Sequence, residues 1–230
     1  MKRVLILVEG DTEERIVKDV LVSHLLHHGV ALQPTKVTTK RPIGAAPFKG
    51  GGDYTKIRDD LRRLLNDSNA VAVTTWFDFY GFPKNLPVER PEQLRDIDAI
   101  ERSIALSLNR PERLFPYLQR HETEALLFVN PEVTARAALQ LFKAEDIAKH
   151  REGFDCVEDI NLDPERAPSK RLRSVLGSFA KPQLAPAVLQ KLGVETLRVA
   201  CPRWGRWIGW LEKLGGQHQL YAEAMPWWAQ

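Results

Sequence analysis

Glu9 and Glu13 lie four residues apart in the run Val8-Glu9-Gly10-Asp11-Thr12-Glu13, directly after the apolar stretch Val4 to Val8. Asp78 closes a second apolar stretch, Ala70 to Phe77, and Glu122 and Glu124 follow a third, Leu114 to Gln119. In open α/β sheets functional groups collect at the carboxyl ends of the strands, so these acids can converge on one edge. Crowded carboxylates repel one another, and a hard cation such as Mg²⁺ or Mn²⁺ relieves the repulsion. One such ion, or a pair roughly 3.5–4 Å apart, can activate water and stabilise the attacking and leaving oxygens of a phosphodiester. The expected ligand set is Glu9, Glu13, Asp78 and Glu122. Glu124 is the alternative to Glu122, in a capping or supporting role, because residues two apart do not share a helix face.

The elements that must position these acids can be read from the apolar pattern. Val4 to Val8 is an unbroken β-branched and apolar run, the signature of a parallel strand buried on both faces. Asp11 is an expected N-cap with Glu14 as its capping-box partner, and Ile16, Val17, Val20, Leu21 and Leu25 form one helical face. A short strand is expected over Thr35 to Thr39, and a loop over Arg41 to Gly52. Helices are expected over Tyr54 to Leu65 and Pro91 to Leu108, with a third starting at Glu122 and running to Phe128. Pro116 marks Leu114 to Gln119 as an edge strand or a bulge. This alternation predicts an α/β fold with a mostly parallel sheet and right-handed crossovers. The expected organisation is an α/β catalytic core over residues 1–130 and a helical, basic extension over 131–230, packed on it as one compact unit.

The chain has 230 residues, 43% of them hydrophobic, enough for a substantial core. A formal charge of +3 is too small to establish a nucleic-acid partner by itself. Charge is unevenly distributed, however. Arg166 to Lys213 carries ten basic residues against only Glu195 and Glu212, which suits a phosphate backbone. The apolar run near the N-terminus is too short for a signal segment, and nothing later reaches membrane length. Cys156 and Cys201 make no disulfide framework or metal-ligand spacing, so the default location is a reducing cytoplasm.

Several other features read more simply. His24 and His28 share a helix face, but no third zinc ligand stands out, so ordinary surface histidines are expected. Gly50-Gly51-Gly52 lacks the Lys-Ser/Thr ending of a P-loop and reads as a linker. Trp204, Trp207 and Trp210 recur every three residues, and packing onto the sheet is the stronger reading over base stacking. Trp227 and Trp228 suggest a docked tail or an interface, and a second copy of the chain stays among the partners considered.

The run opening at Val8 resembles the first motif of Toprim domains, above all those of OLD-family nucleases, in which a strand-end Glu is followed by another four residues later. The second motif of that family is Asp-x-Asp, and here it reads Asp78-Phe79-Tyr80, with Tyr80 in place of the second acid. His121-Glu122-Thr123-Glu124-Ala125-Leu126-Leu127-Phe128, Ala167-Pro168-Ser169-Lys170-Arg171-Leu172 and Cys201-Pro202-Arg203-Trp204 are similar to segments of an uncharacterised bacterial Toprim-like family of unknown function. The resemblance implies a Toprim-like sheet and Mg²⁺- or Mn²⁺-dependent cleavage of DNA or RNA. It also implies an ATPase partner in anti-phage defence. Lys170 matches the basic catalytic position of OLD-type enzymes and is expected to steady the phosphate, with Arg171, Arg173, Arg203 and Arg206 contacting the nucleic acid. The alternative is a catalytically impaired nucleic-acid- or partner-binding module working with an ATPase.

Overall fold

The computed structural model describes residues 1–37, 53–160 and 164–216. The expected loop at 41–52, residues 38–39 and the Trp227-Trp228 pair lie outside the described residues.

Strands β1 (Lys2–Val8), β2 (Val30–Lys36), β3 (Ala72–Asp78), β4 (Leu114–Phe115) and β5 (Leu118–Gln119) form a parallel sheet. The strand order is β2-β1-β3-β4, with β5 also pairing β3. Alternation along β1 explains why its sequence is apolar throughout. Val4, Ile6 and Val8 face one core, while Leu5 and Leu7 face the other. The strand expected over Thr35 to Thr39 in fact begins at Val30, immediately after the preceding helix.

Helix α3 (Tyr54–Leu65) matches its expected span, and with α4 (Ile97–Ser107) it covers the Leu5 face. The single helix expected from Pro91 is divided. Pro91–Arg95 is a 3₁₀ turn, and Asp96 caps α4 by accepting from the N–H groups of Asp98 and Ala99. On the opposite face α1 (Asp11–Ile16) passes through a π-helical stretch, Val17–Leu21, into α2 (Val22–His27). Its N-cap is Gly10, not Asp11, and no side chain caps it. Asp11 and Glu14 instead pair with Lys36 of β2, so the expected capping box is not formed.

The C-terminal half adds α5 (Pro131–Ala137), α6 (Ala144–Lys149), α7 (Pro168–Leu176), α8 (Lys181–Ala200) and α9 (Pro202–Lys213). Apolar residues of α8 and α9, among them Leu184, Val188, Leu189, Trp204 and Trp207, share one cluster with Val4, Ile6 and Val8. The helical half is therefore packed directly on the sheet.

The tryptophans make that junction. Trp207 is buried, stacks on Tyr117 with ring centroids 4.4 Å apart, and donates its indole N–H to Thr74 Oγ1 at 2.9 Å. Trp210 stacks on Phe115 at 4.2 Å. Offset stacking and a satisfied indole add to the large apolar area each ring removes from water. Arg203 is spent here as well. Its side chain is 13% exposed and pairs with Glu101 of α4 at 2.5 Å and with Asp98. The expectation that Arg203 contacts a phosphate backbone is thus corrected. It is an internal cation facing Glu101, whose carboxyl burial pushes up to about 7 against the pull of Arg203.

Trp207→Ala is expected to destabilise the fold by about 3–5 kcal/mol, chiefly through the cavity, since the Thr74 hydroxyl loses the indole but keeps its bond to the Phe115 carbonyl. Urea denaturation measures this directly. A loss below about 1 kcal/mol would contradict the docking of α9 on the sheet.

Candidate functional site

The strand order decides which acids meet. β1 and β3 are neighbours, with Val8 opposite Trp76, so Glu9 and Asp78 leave the sheet side by side. The Glu9 N–H donates to the Trp76 carbonyl at 3.3 Å, and the Asp78 N–H donates to Glu9 Oε2 at 3.3 Å. Glu13 stands in the first turn of α1 and is buried. β5 pairs with the end of β3, Asp78 opposite Gln119, and the chain then turns back over the site.

That turn is tightly built. His121 adopts a left-handed backbone with φ of 64°, a conformation in which side chains with a Cβ are uncommon. Its carbonyl accepts from the Tyr80 N–H at 2.8 Å. Burial and nearby Arg120 push the His121 imidazole down to about 4, so it is neutral at physiological pH. Beyond it, Glu122 is extended and precedes a 3₁₀ helix, Thr123–Phe128. Thr123 donates both its N–H and its hydroxyl to Asp78 Oδ1 at 2.7 Å, which fixes the aspartate.

The two glutamates of this segment diverge. Glu124 is buried and turns toward Asp78, whereas Glu122 turns away and caps α7, accepting from Ser169 N–H at 2.8 Å and Ser169 Oγ at 3.0 Å. The expected ligand Glu122 is thus replaced at the cluster by Glu124, because the extended backbone at 122 aims its side chain at the amino end of a helix. That end carries partial positive charge and unpaired N–H groups.

Lys181 sits among these acids. Its ammonium lies 2.8 Å from Glu124 Oε2, 3.2 Å from Asp78 Oδ2 and 3.7 Å from Glu13 Oε1. Burial works against its charge, but Asp78, Glu124 and Glu13 more than offset this and hold the ammonium well above its ordinary range. The expected lysine, Lys170, lies elsewhere. It is exposed and pairs with Glu165 at 3.1 Å. Arg171 donates to the carbonyls of Arg166 and His150 and lies over the Phe154 ring. Arg173 and Arg206 are exposed.

Three of the carboxyls resist ionisation. Glu9 is exposed over much of its surface, yet its carboxyl end is withdrawn from water at the strand end. That withdrawal, with Asp78 and Glu13 close by, raises it to about 7. Glu124 is raised to about 7 by burial, with Lys181 pulling it down and Asp78 and Glu122 pushing it up. Glu13 is raised by burial and Asp78. Glu13 Oε1 and Glu124 Oε2 are buried without a well-directed hydrogen bond. Crowded, repelling carboxylate oxygens that share one ammonium are the surroundings that an added hard cation satisfies.

Tyr80, two positions after Asp78, is exposed beside the turn and supplies no second acid. The cluster draws its fourth carboxylate from Glu124 instead. Sequence reasoning weighted Glu124 second and missed Lys181. One signal was present. Lysine is unfavourable at the first position of a helix, next to the positive end of its dipole, yet Lys181 opens α8 just before Pro182. A cation in that position needs carboxylates in front of it.

Fold and site together define an α/β protein with an acidic, lysine-centred site at the carboxyl edge of a parallel sheet. Residues 8–212 match the family described as Domain of unknown function (DUF4276), and the chain belongs to that family. No curated protein and no solved structure matches it.

Glu124 gives a test with a definite sign. Its carboxyl ionises near 4.5 in the unfolded chain and near 7 in the fold. Stability from the protonated form is therefore complete below about pH 4.5 and is lost as pH rises through about 7. Glu124→Gln stays neutral throughout. Its stability relative to the unaltered protein is expected to improve by about 2–3 kcal/mol between roughly pH 5 and pH 8, by urea denaturation with chelator present. A difference that is flat, or that worsens with pH, contradicts the crowded-carboxylate description.

Proposed function

We propose that this protein is a divalent-metal-dependent nuclease that hydrolyses phosphodiester bonds of DNA or RNA, working with Mg²⁺ or Mn²⁺. The observation that carries this reading is the convergence of Glu13, Asp78 and Glu124 on Lys181, with Glu9 beside Asp78, at the carboxyl edge of the sheet. All-oxygen donors select hard cations, and Glu9, Glu13, Asp78 and Glu124 are the residues that would hold one. When bound, the ion would supply charge for the phosphoryl oxygens and acidify a water.

The remaining chemistry belongs to the chain. Glu9, raised to about 7 by burial and by Asp78 and Glu13 beside it, is matched to accept a proton near neutral pH. Thr123 holds Asp78 in a single orientation through two hydrogen bonds. Lys181, held charged by its neighbours, offers an ammonium to the scissile phosphate. It also occupies the space among the carboxylates, so substrate or cation must draw it outward from Glu124. Exposed Arg173 and Arg206, with Arg166, Lys191 and Lys213 also exposed, are cations of the basic half available to track a backbone. The resemblance of this pattern to Toprim domains, a strand-end Glu followed by another four residues on and an Asp at the end of the adjacent strand, supports the same reading. Service as the effector of an anti-phage system, alongside an ATPase, is part of this proposal.

A second reading has its own observation. Tyr80 replaces an acid of the two-metal pattern, and Lys181 already neutralises the cluster. A module that binds nucleic acid or an ATPase partner without cutting is consistent with both.

Purified protein incubated with DNA and RNA substrates and Mn²⁺ separates the two. The nuclease reading expects cleavage that is abolished by Glu9→Ala and Asp78→Ala and reduced about 10²–10³-fold by Lys181→Met. Lys170→Ala is expected to cut at nearly the unaltered rate. Cleavage that survives Glu9→Ala and Asp78→Ala removes the nuclease assignment to this site. Salt-sensitive binding with no cleavage selects the second reading.

A further inference from the structure

His24 on α2 and His28 at the C-cap of that helix lie about one turn apart, and the sequence offers them no obvious third ligand. The fold does. Glu212, 188 residues beyond His24 and on α9, brings its Oε1 to 2.6 Å from His24 Nε2 and 3.7 Å from His28 Nε2. The two imidazole rings are 4.9 Å apart between centroids. Among the described residues, this is the set of three His, Cys, Asp or Glu side chains whose ligand atoms all fall within 4.8 Å of one another.

We infer that His24, His28 and Glu212 form a second metal site, distinct from the acidic cluster, that takes a borderline transition-metal ion of the Zn²⁺ class. Two imidazoles and one carboxylate are a donor set for Zn²⁺, Ni²⁺ or Cu²⁺, and a poor one for Mg²⁺, which prefers oxygen ligands. Zinc bonds of about 2.0–2.1 Å in a tetrahedron place ligand atoms roughly 3.3–3.4 Å apart. The His28 pair is close to that spacing, and the His24 pair must open by about 0.7 Å, which a small side-chain rotation provides. His28 is exposed, so the fourth position faces solvent.

The backbone around the site is fixed by close approach. A Cβ on Gly215 would stand 1.7 Å from the His28 carbonyl oxygen, and one on Gly205 would stand 2.8 Å from the Arg198 carbonyl oxygen. Only glycine lets α9 lie this close to the end of α2 and to α8. Glu212 therefore reaches the histidines from a rigid frame, a condition for tight metal binding.

Arg198 is the competitor. Its guanidinium donates to Glu212 Oε1 at 2.5 Å, in the place an ion would claim. It also pairs with Glu195 at 3.1 and 3.3 Å, so it has a partner to keep when Glu212 turns to a metal. In the metal-free protein Arg198 and His24 both occupy the Glu212 Oε1 that an ion would need.

Position separates this site from the acidic one. His28 and Gly29 lead directly into β2, and Lys2 N–H at the start of β1 donates to the Gly29 carbonyl. The histidines thus sit at the amino edge of the parallel sheet, whereas Glu9 and Asp78 sit at its carboxyl edge. A metal here clasps the first helical segment to the last described one. It would stabilise the fold without entering the chemistry proposed for the other edge.

The test is calorimetric titration of untagged full-length protein carrying Glu9→Gln and Asp78→Asn, which weaken the acidic site, with Zn²⁺. One equivalent is expected to bind. His24→Ala and Glu212→Gln in that background are expected to weaken binding at least about 100-fold, following removal of one of three ligands. Arg198→Met is expected to tighten it severalfold, because a competing cation is gone. That variant keeps all three ligands, so it tests the site even if a ligand variant fails to fold. Replacing Zn²⁺ by Co²⁺ adds a readout on the intact site, the visible absorption of a four-coordinate ion. No stoichiometric Zn²⁺ binding overturns the proposal. So does binding that is unchanged in His24→Ala and Glu212→Gln, or weakened in Arg198→Met.

Discussion

Like charges brought out of water repel strongly, and at the carboxyl edge of this sheet Glu9, Glu13, Asp78 and Glu124 are brought together. One ammonium answers them. Lys181 lies within 4 Å of three of these carboxylates, and it arrives from a helix that begins 103 residues after Asp78. The placement of α8 across α1 and the 3₁₀ segment after β5 is therefore as much an electrostatic requirement as a packing one. Remove the cation, and the sheet edge holds several acids with orphaned oxygens. Add a second cation, and the same oxygens become ligands.

The packing that seats α9 is separate from the site. Trp207 and Trp210 lie on Tyr117 and Phe115 behind the strands, while Arg203 joins α9 to α4 through Glu101. These contacts hold the C-terminal helices rigidly, which gives a catalytic constellation its precision. They also explain why a charge-rich C-terminal half need not be a nucleic-acid surface in all its residues. Part of its positive charge is consumed internally by Glu101, Glu124 and Glu212.

What the sequence made legible follows from which interactions are local. Val4 to Val8 and Ala70 to Phe77 announce buried parallel strands, and a Glu or Asp directly after such a run must lie at the sheet edge, so Glu9 and Asp78 were readable. Glu13 followed from its place one helical turn later. Glu122 and Glu124 were not separable in this way. Their directions depend on the left-handed backbone at His121 and on the amino end of α7 waiting for Glu122, both of which are consequences of tertiary structure. Lys181 and the Glu212 partner of His24 are contacts across more than 100 residues, and no periodicity encodes them. The Asp11 cap failed for a similar reason. Lys36 on the adjacent strand competes for the carboxylate that would have capped α1.

The proposed nuclease chemistry requires the carboxylates around Lys181 to hold a catalytic cation. Crystals soaked in Mn²⁺, with data collected at a wavelength where manganese scatters anomalously, test it most directly. An anomalous peak is expected bonded to oxygens of Glu9, Asp78 and at least one of Glu13 and Glu124, with Lys181 turned away from Glu124. No peak there at saturating Mn²⁺, with the Lys181 ammonium still seated against Glu124 and Asp78, would contradict it.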